Sequence, residues 1–355
     1  MMIKEGKVIL DVPAEASRKL PVFYNPVMKL NRDISVLLVN ALSGKQRIAD
    51  ILSGSGARAV RLSKECKNAG EVFANDSSAS AVKFIKKNAR MNQARLNISQ
   101  KDASIFLLES EGFSYIDIDP FGSPNPFLDA AVRRISRGGI IALTATDTSA
   151  LSGSHPKAGF RKYWARPLRF WGMHEFGIRI LARKAQLVGG QYDKALVPVF
   201  CHSTAHYVRL YLECQKGKSK VDEVYSQHKY VHFCQNCLAI KTSDNNSGIC
   251  CKKPVIVAGP LWSGQLWKQD LVKKMQKNAK DEAKLLLDVI SKEAKIQTVG
   301  FHDWYEYCSK LKRAVPKRDL MIERIKKLGY KVSPTHFSSQ GLRSEISSKE
   351  FLQLL

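Results

Sequence analysis

Between Arg47 and Ala145, short apolar runs alternate with stretches whose apolar residues recur at helical spacing. Arg47 to Leu52, Glu71 to Asn75, Phe113 to Ile118 and Gly139 to Ala145 read as strands, with Asn97 to Lys101 as a short one between them. Ala57 to Cys66, Ser77 to Met91 and Asn125 to Ile135 read as helices, the second capped by Ser77 or Ser78. Helices between successive strands force crossover connections, so this rhythm predicts a doubly wound parallel sheet. Upstream, prolines bracket Pro21 to Pro26 in extended backbone, and Asn31 to Leu42 reads as a helix ended by Gly44. Downstream, Ala195 to Phe200 and Tyr207 to Leu212 read as strands, and the second is placed to pair with another and finish the sheet. Asp270 to Ala294 reads as one long helix, and Trp304 to Leu311 and Lys317 to Leu328 as two more, with Gly329 closing the last.

At 355 residues the chain is long enough for about two domains. A composition 44% hydrophobic and 25% charged fits a packed protein rather than a disordered one. Lys and Arg number 57 against 32 acids, a net charge of +25, which suits a polyanionic partner. The excess concentrates in His155 to Lys220 (13 basic, 3 acidic) and Gly264 to Lys331 (17 basic, 9 acidic), so an extended nucleic-acid footprint is expected. No apolar run approaches the roughly 18 residues of a spanning helix, and Met1 to Asp11 lacks a signal-peptide core. A cytoplasmic protein without a membrane partner is expected, its eight cysteines thiols or metal ligands rather than disulfides.

The chemistry-bearing residues lie where the strands end. Gly54 and Gly56 follow the first strand and open a helix, where backbone without side chains can approach a ligand closely. Asp76 ends the next strand, the usual place for an acid that grips a ribose diol. Asp102 and Ala103, after the third, are placed to contact an adenine edge. Gly54-x-Gly56-x-x-Ala59 also fits a dinucleotide fingerprint, so a nicotinamide enzyme is the rival reading. Asp117-Ile-Asp119-Pro-Phe121-Gly-Ser-Pro124 ends the fourth strand with acid, proline and aromatic together. A carboxylate there can accept the N–H bonds of a planar amino group while the ring stacks on its face, which favours group transfer to a nucleobase nitrogen.

These segments, with Pro21 to Pro26, Leu30-Asn-Arg-Asp33, Thr144-Ala-Thr-Asp147, His206-Tyr-Val-Arg209, Gly259 to Gly264 and Thr335-His-Phe-Ser338, give the chain a resemblance. It resembles the archaeal form of the tRNA (guanine(26)-N2)-dimethyltransferases over nearly its whole length. The resemblance implies S-adenosyl-L-methionine as cofactor and methylation of guanine N2, first to the monomethyl and then to the dimethyl base. It implies tRNA as partner; no obligate protein partner is inferred. It maps cofactor contacts onto Arg32, Arg58, Asp76, Asp102 and Ala103 beside the Gly54 and Gly56 loop, the catalytic acid onto Asp119, and its aromatic partners onto Phe23 and Phe121, which could sandwich the base. Asp147 reads as structural. The rival functions are guanine-N2 methylation of another RNA and a catalytically silent tRNA-binding protein.

The expected architecture is α/β. A Rossmann-like class I methyltransferase domain with an amino-terminal extension spans residues 1–220. A smaller, basic, mostly helical α+β domain that binds tRNA spans residues 221–355. Cys234, Cys237, Cys250 and Cys251 in the latter read as a structural zinc site, with His232 as an alternative ligand.

Overall fold

The computed structural model describes residues 1–13 and 22–355, so Pro21 of the proline-bracketed segment lies outside the described residues. The chain opens with a hairpin, β1 (Met2–Glu5) and β2 (Val8–Asp11), followed by helix α1 (Lys29–Ala41). Then come β3 (Gln46–Asp50), α2 (Ala57–Glu65), β4 (Ala69–Asn75), α3 (Ala79–Met91), β5 (Asn97–Ser99), α4 (Ala103–Glu109), β6 (Phe113–Ile118), α5 (Leu128–Arg134) and β7 (Ile135–Ala145). Helices α6 (Thr148–Leu151), α7 (Pro156–Tyr163) and α8 (Met173–Gly190) lead into β8 (Lys194–Thr204) and β9 (Tyr207–Lys216).

The strands form one seven-stranded sheet in the order β5-β4-β3-β6-β7-β9-β8. The strands from β5 to β7 run parallel, while β9 is antiparallel to both β7 and β8, so the expected finishing strand inserts before its predecessor. The order reverses at β3, and loops after β3 and β6 meet there, where ligands bind in open α/β sheets. Ser78 caps α3 as expected, accepting from Ala81 N.

Beyond α9 (Lys218–Tyr225) the structure departs from a mostly helical expectation. Three small sheets stand among the helices: β11 (Ile240–Ser243), β10 (His228–Phe233) and β14 (Ile256–Trp262); β12 (Ile249–Cys250) with β13 (Lys253–Pro254); and β15 (His302–Asp303), β17 (Gly341–Ser344) and β16 (Val332–Pro334). The long Asp270–Ala294 helix is two, α10 (Gln269–Gln276) and α11 (Asp281–Glu293), broken where Asp281 takes φ +48°. Val272 and Met275 of one and Leu287 and Ile290 of the other enter a single core.

Several elements escaped the sequence pattern, and two of them carry buried charge. Helix α8 buries Glu175, Arg179 and Lys184 along with its apolar residues, so no polar stripe marks it. Its Glu175 pairs with Arg343 at 2.6 Å, and Arg343 also pairs with Glu293 at 2.9 Å, tying the last strands to the sheet's covering helix. The β1–β2 hairpin is the other. Its Glu5 is buried and receives both arms of Arg32 at 2.7 Å, Arg61 at 2.8 Å and the Tyr24 hydroxyl at 2.6 Å. Burial opposes ionisation, but these partners, Arg32 foremost, hold the Glu5 carboxyl down to about 2. The knot holds the Tyr24 side chain, and Phe23 is its neighbour in the chain. Removing one partner of a buried pair leaves the others uncompensated. Glu5→Ala is therefore expected to lose about 3–5 kcal/mol of stability in chemical denaturation; a loss below about 1 kcal/mol would contradict this role.

Candidate active site

Two loops and one strand end build the site. Gly54 and Gly56 take φ of +54° and +77°, left-handed values that glycine adopts without steric cost. At Gly54 a side chain would come within 3.2 Å of the Phe23 carbonyl. Asp76 faces this loop, accepting the Gly54 N–H and the Ser78 N–H, each at 2.9 Å. The expected ribose acid and glycine turn thus meet in one place. Asp102 spends a carboxylate oxygen capping α4, through Ser104 N at 2.9 Å and Ile105 N at 3.1 Å, so its neighbour Ala103 lies at the start of that helix.

The strand ends hold a buried cluster of charges. Asp50 and Asp117 are register partners at the ends of β3 and β6. Asp117 accepts from Arg209 Nη2 at 2.5 Å and Nη1 at 3.1 Å, from Tyr115 at 2.8 Å, and lies 3.3 Å from Arg58 Nε. Arg58 also donates to Ser35 Oγ at 2.7 Å and Asn31 Oδ1 at 2.9 Å. Its other arm pairs with Asp119 Oδ2. Arg58, read from the sequence as a cofactor contact, is thus the residue that holds the expected catalytic acid in place. Arg32, read the same way, has its fork occupied by Glu5, so any cofactor contact it makes comes from the far side of that pair.

Nothing in the sequence assigns Asp50 a role. It is buried, and its Oδ2 has no hydrogen-bond partner. Burial pushes its carboxyl up to about 7, with Arg58 opposing and the charges of Asp117 and Asp119 reinforcing. Asp117 goes the other way: burial would raise it, but Arg209 and Arg58 outweigh that and hold it below the usual carboxylate range. With Asp50 protonated, two carboxylates face two guanidiniums and the cluster balances. For Asp50 the sequence signal is only a charge within a buried strand, and for Arg209 that and its place in a segment that carries the resemblance.

Phe23 and Phe121 meet edge to face, ring centroids 4.7 Å apart at 80°. They are brought together as expected, but as a T rather than the parallel slot of a sandwich. A flat base entering between them would have to turn one ring. Phe121 is 54% exposed, so its turn is the cheaper. The loop carrying Phe121 is pinned to the end of β7 by Gly122 N to Thr146 Oγ1 at 2.7 Å and Thr146 N to Gly122 O at 2.9 Å. Asp147 accepts from Tyr163 at 2.6 Å and pairs with Lys162 at 3.3 Å, in keeping with a structural part.

Well away from these loops, the sulfur atoms of Cys234, Cys237, Cys250 and Cys251 lie within 4.8 Å of one another. Separations of 3.6 Å (Cys237–Cys250) and 3.9 Å (Cys250–Cys251) match the roughly 3.8 Å edge of a tetrahedron with about 2.3 Å metal–sulfur bonds. Left-handed backbone at Cys251 and Lys252, φ +50° and +59°, turns the adjacent thiols to one point. His232 stands apart, bonded to the Asn245 carbonyl at 2.8 Å.

Asp50 gives a pH signature. Its native value of about 7 lies above the ordinary 3.8, so its favourable contribution is complete in acid and is lost as pH rises towards 7. Asp50→Asn lacks that titration. Variant-minus-wild-type stability, from urea melts, is expected to climb between about pH 4 and 7 and then level; a difference independent of pH would contradict a protonated Asp50.

Comparison with known proteins adds to the geometry. A family model described as N2,N2-dimethylguanosine tRNA methyltransferase matches residues 4–355. The tRNA (guanine(26)-N(2)/guanine(27)-N(2))-dimethyltransferase of Aquifex aeolicus is 36% identical over 375 residues, covering 99% of this chain and 95% of that protein. The tRNA (guanine(26)-N(2))-dimethyltransferase of Methanobrevibacter smithii is 37% identical over 378 residues, covering 99% and 96%. A solved complex of Trm1 from Pyrococcus horikoshii with S-adenosyl-L-methionine superposes with a TM-score of 0.92 at 32% identity, covering 100% of this chain and 99% of that one.

Proposed function

The chain belongs to the N2,N2-dimethylguanosine tRNA methyltransferase family, and from that premise we propose that it methylates the exocyclic N2 of guanine 26 of tRNA twice, using S-adenosyl-L-methionine. The observation that carries the reading is Asp119, held by Arg58 at the end of β6 with Phe121 two residues on and Phe23 against it. The glycine backbone at Gly54 and Gly56 suits close approach of the cofactor's methionine part, and the Asp76 carboxylate suits its ribose diol. A nicotinamide enzyme has no use for the Asp119–Phe121 pair.

Guanine N2 is a poor nucleophile because its lone pair is delocalised into the ring. Arg58 holds Asp119 Oδ2, so Oδ1 is the oxygen offered to the base. Accepting an N2–H bond there concentrates electron density on nitrogen and takes up charge as the new bond forms. The bound cofactor supplies a methyl group on a sulfonium centre. Phe23 and Phe121 hold the ring plane, and alignment of nitrogen with that methyl is much of the catalysis. Asp119 Oδ1 then receives the N2 proton and passes it to solvent, which leaves a secondary amine for the second round. The pairing of Asp119 with a fully buried Arg58 keeps its carboxylate fixed between rounds.

The assay is labelled S-adenosyl-L-methionine with unmodified tRNA transcripts, followed by nucleoside analysis. N2-methyl- and N2,N2-dimethylguanosine are expected, and they should vanish when guanine 26 is replaced. Asp119→Asn should cut turnover at least about 100-fold while cofactor affinity stays within about twofold. Turnover close to wild type would remove Asp119 from the chemistry, and label in another RNA would replace the substrate.

The four-cysteine cluster supports a structural zinc ion, with Cys234, Cys237, Cys250 and Cys251 as ligands. Tyr307 donates to the Leu238 carbonyl at 3.3 Å and Lys310 to that of Gln235 at 2.9 Å, so the ion would brace the cysteine loop against the carboxy-terminal helices. About one zinc per chain is expected by elemental analysis; Cys237→Ser should lose it and lower the melting temperature. A metal-free protein indifferent to chelators would contradict this. Residues 1–220 are read as the methyltransferase domain and 221–355 as the domain that grips tRNA. No helix among the described residues is long and apolar enough to cross a membrane, and the reading places the enzyme in the cytoplasm with its substrate.

A further inference from the structure

One basic, aromatic surface has no part in the chemistry above. From His155 to Gly172 the chain holds Lys157, Arg161, Lys162, Arg166 and Arg169 and no acid. On α7 the positions Lys157, Phe160 and Arg161 follow the i, i+3, i+4 spacing of one helix face, Trp164 follows as the residue that caps the helix, and all four are exposed. Phe160 is 66% exposed, the highest exposure of any aromatic among the described residues. Trp164 is held in left-handed backbone at φ +55°, with Lys184 Nζ 2.9 Å from its ring centroid and Arg183 donating to its carbonyl at 3.1 Å. Core packing explains neither ring, since the buried face of α7 belongs to Gly159 and Tyr163.

That buried face fastens α7 to the active-site loop. Tyr163 donates to Asp147 at 2.6 Å and can accept from Ser123 Oγ at 3.0 Å, and Asn125 donates to the Lys162 carbonyl at 2.8 Å. Ser123 and Asn125 follow Phe121 within four residues. Helix α7 is therefore fastened to the loop that carries Phe121, with its outer face left open.

We propose that Lys157, Phe160, Arg161 and Trp164 form the surface that holds the RNA strand flanking the target guanine, with Phe160 stacking on a neighbouring base. This rests on the reading that the site methylates a base of RNA. Turning an interior base out of its stack costs free energy and leaves its neighbours with an open face. An exposed aromatic beside the pocket restores stacking to that face, and the flanking cations meet the phosphates on either side. Charge complementarity and continuity with the pocket favour RNA over a protein partner, for which an acidic surface would be needed.

The test measures binding of unmodified tRNA transcript to the full chain with S-adenosyl-L-homocysteine present, and separately the affinity for that cofactor product. Phe160→Ala should weaken tRNA binding about 5- to 100-fold, and Phe160→Tyr should restore it. Lys157→Ala and Arg161→Ala should each lower the slope of log affinity against log salt by about 1. Cofactor-product affinity should stay within about twofold of wild type in every variant, which excludes a folding defect. Unchanged tRNA affinity in Phe160→Ala, or unchanged salt slopes in both cation variants, would overturn the inference. A wild-type chain that binds tRNA through this face and transfers no methyl would instead overturn the proposed activity and leave this surface standing.

Discussion

Asp117 and Arg209 meet with neither side chain exposed to solvent, and the working end of the sheet depends on that pair. A charge taken out of water is costly unless its partner sits in good geometry and the remaining hydrogen-bonding capacity is filled. Here Asp117 takes both terminal nitrogens of Arg209 and the Tyr115 hydroxyl, and Arg209 adds Thr144 Oγ1 at 2.8 Å; only its Nε goes without a partner in this network. Arg209 enters from β9, which is antiparallel to β7, so the last strands of the sheet complete a network begun by β3 and β6. Arg58 extends the network outward to Asp119. The acid proposed for chemistry is thus the outermost member of a chain of charges whose inner members cannot move without unpairing one another.

The amino-terminal hairpin does for the aromatic wall what β9 does for the acid. Glu5 gathers Arg32, Arg61 and Tyr24 into one buried knot, and Phe23 sits beside it in the chain. Arg343 plays the same part at the far side, clasped by Glu175 of α8 and Glu293 of α11. Three buried arginine–carboxylate centres therefore fix, in turn, the acid, the residue beside the ring in the chain and the join to the carboxy-terminal part. Breaking any of them leaves an uncompensated buried charge, which makes the placement of the site sensitive to residues that never touch a ligand.

Strand β6 was legible to the residue, Phe113–Ile118, because Phe113, Tyr115, Ile116 and Ile118 crowd into six positions that Pro120 and Gly122 close with turn residues. The glycine turn, Asp76 and the Asp119–Phe121 grouping were legible for a related reason: close backbone approach and a strand-end acid leave few residue types to choose from. What the sequence hid was direction. Nothing in the pattern of α2 says that Arg58, two residues past Gly56, points at Asp117 and Asp119 rather than at open cleft. Helix α8 was hidden because its charged residues are paired inside, which erases the amphipathic period. The edge-to-face contact of Phe23 and Phe121 was likewise beyond sequence, since ring orientation is set by packing.

The central claim is that Asp119, fixed by Arg58, accepts the amino group of the target guanine. The most direct measurement is a structure of the chain with S-adenosyl-L-homocysteine and an unmodified tRNA transcript. The account predicts guanine 26 turned out of its stack against Phe23 and Phe121, with N2 about 2.7–3.2 Å from Asp119 Oδ1 and Arg58 still on Oδ2. A base seated with N2 away from Asp119, or an Arg58 that leaves the carboxylate to reach the ligand, would contradict it.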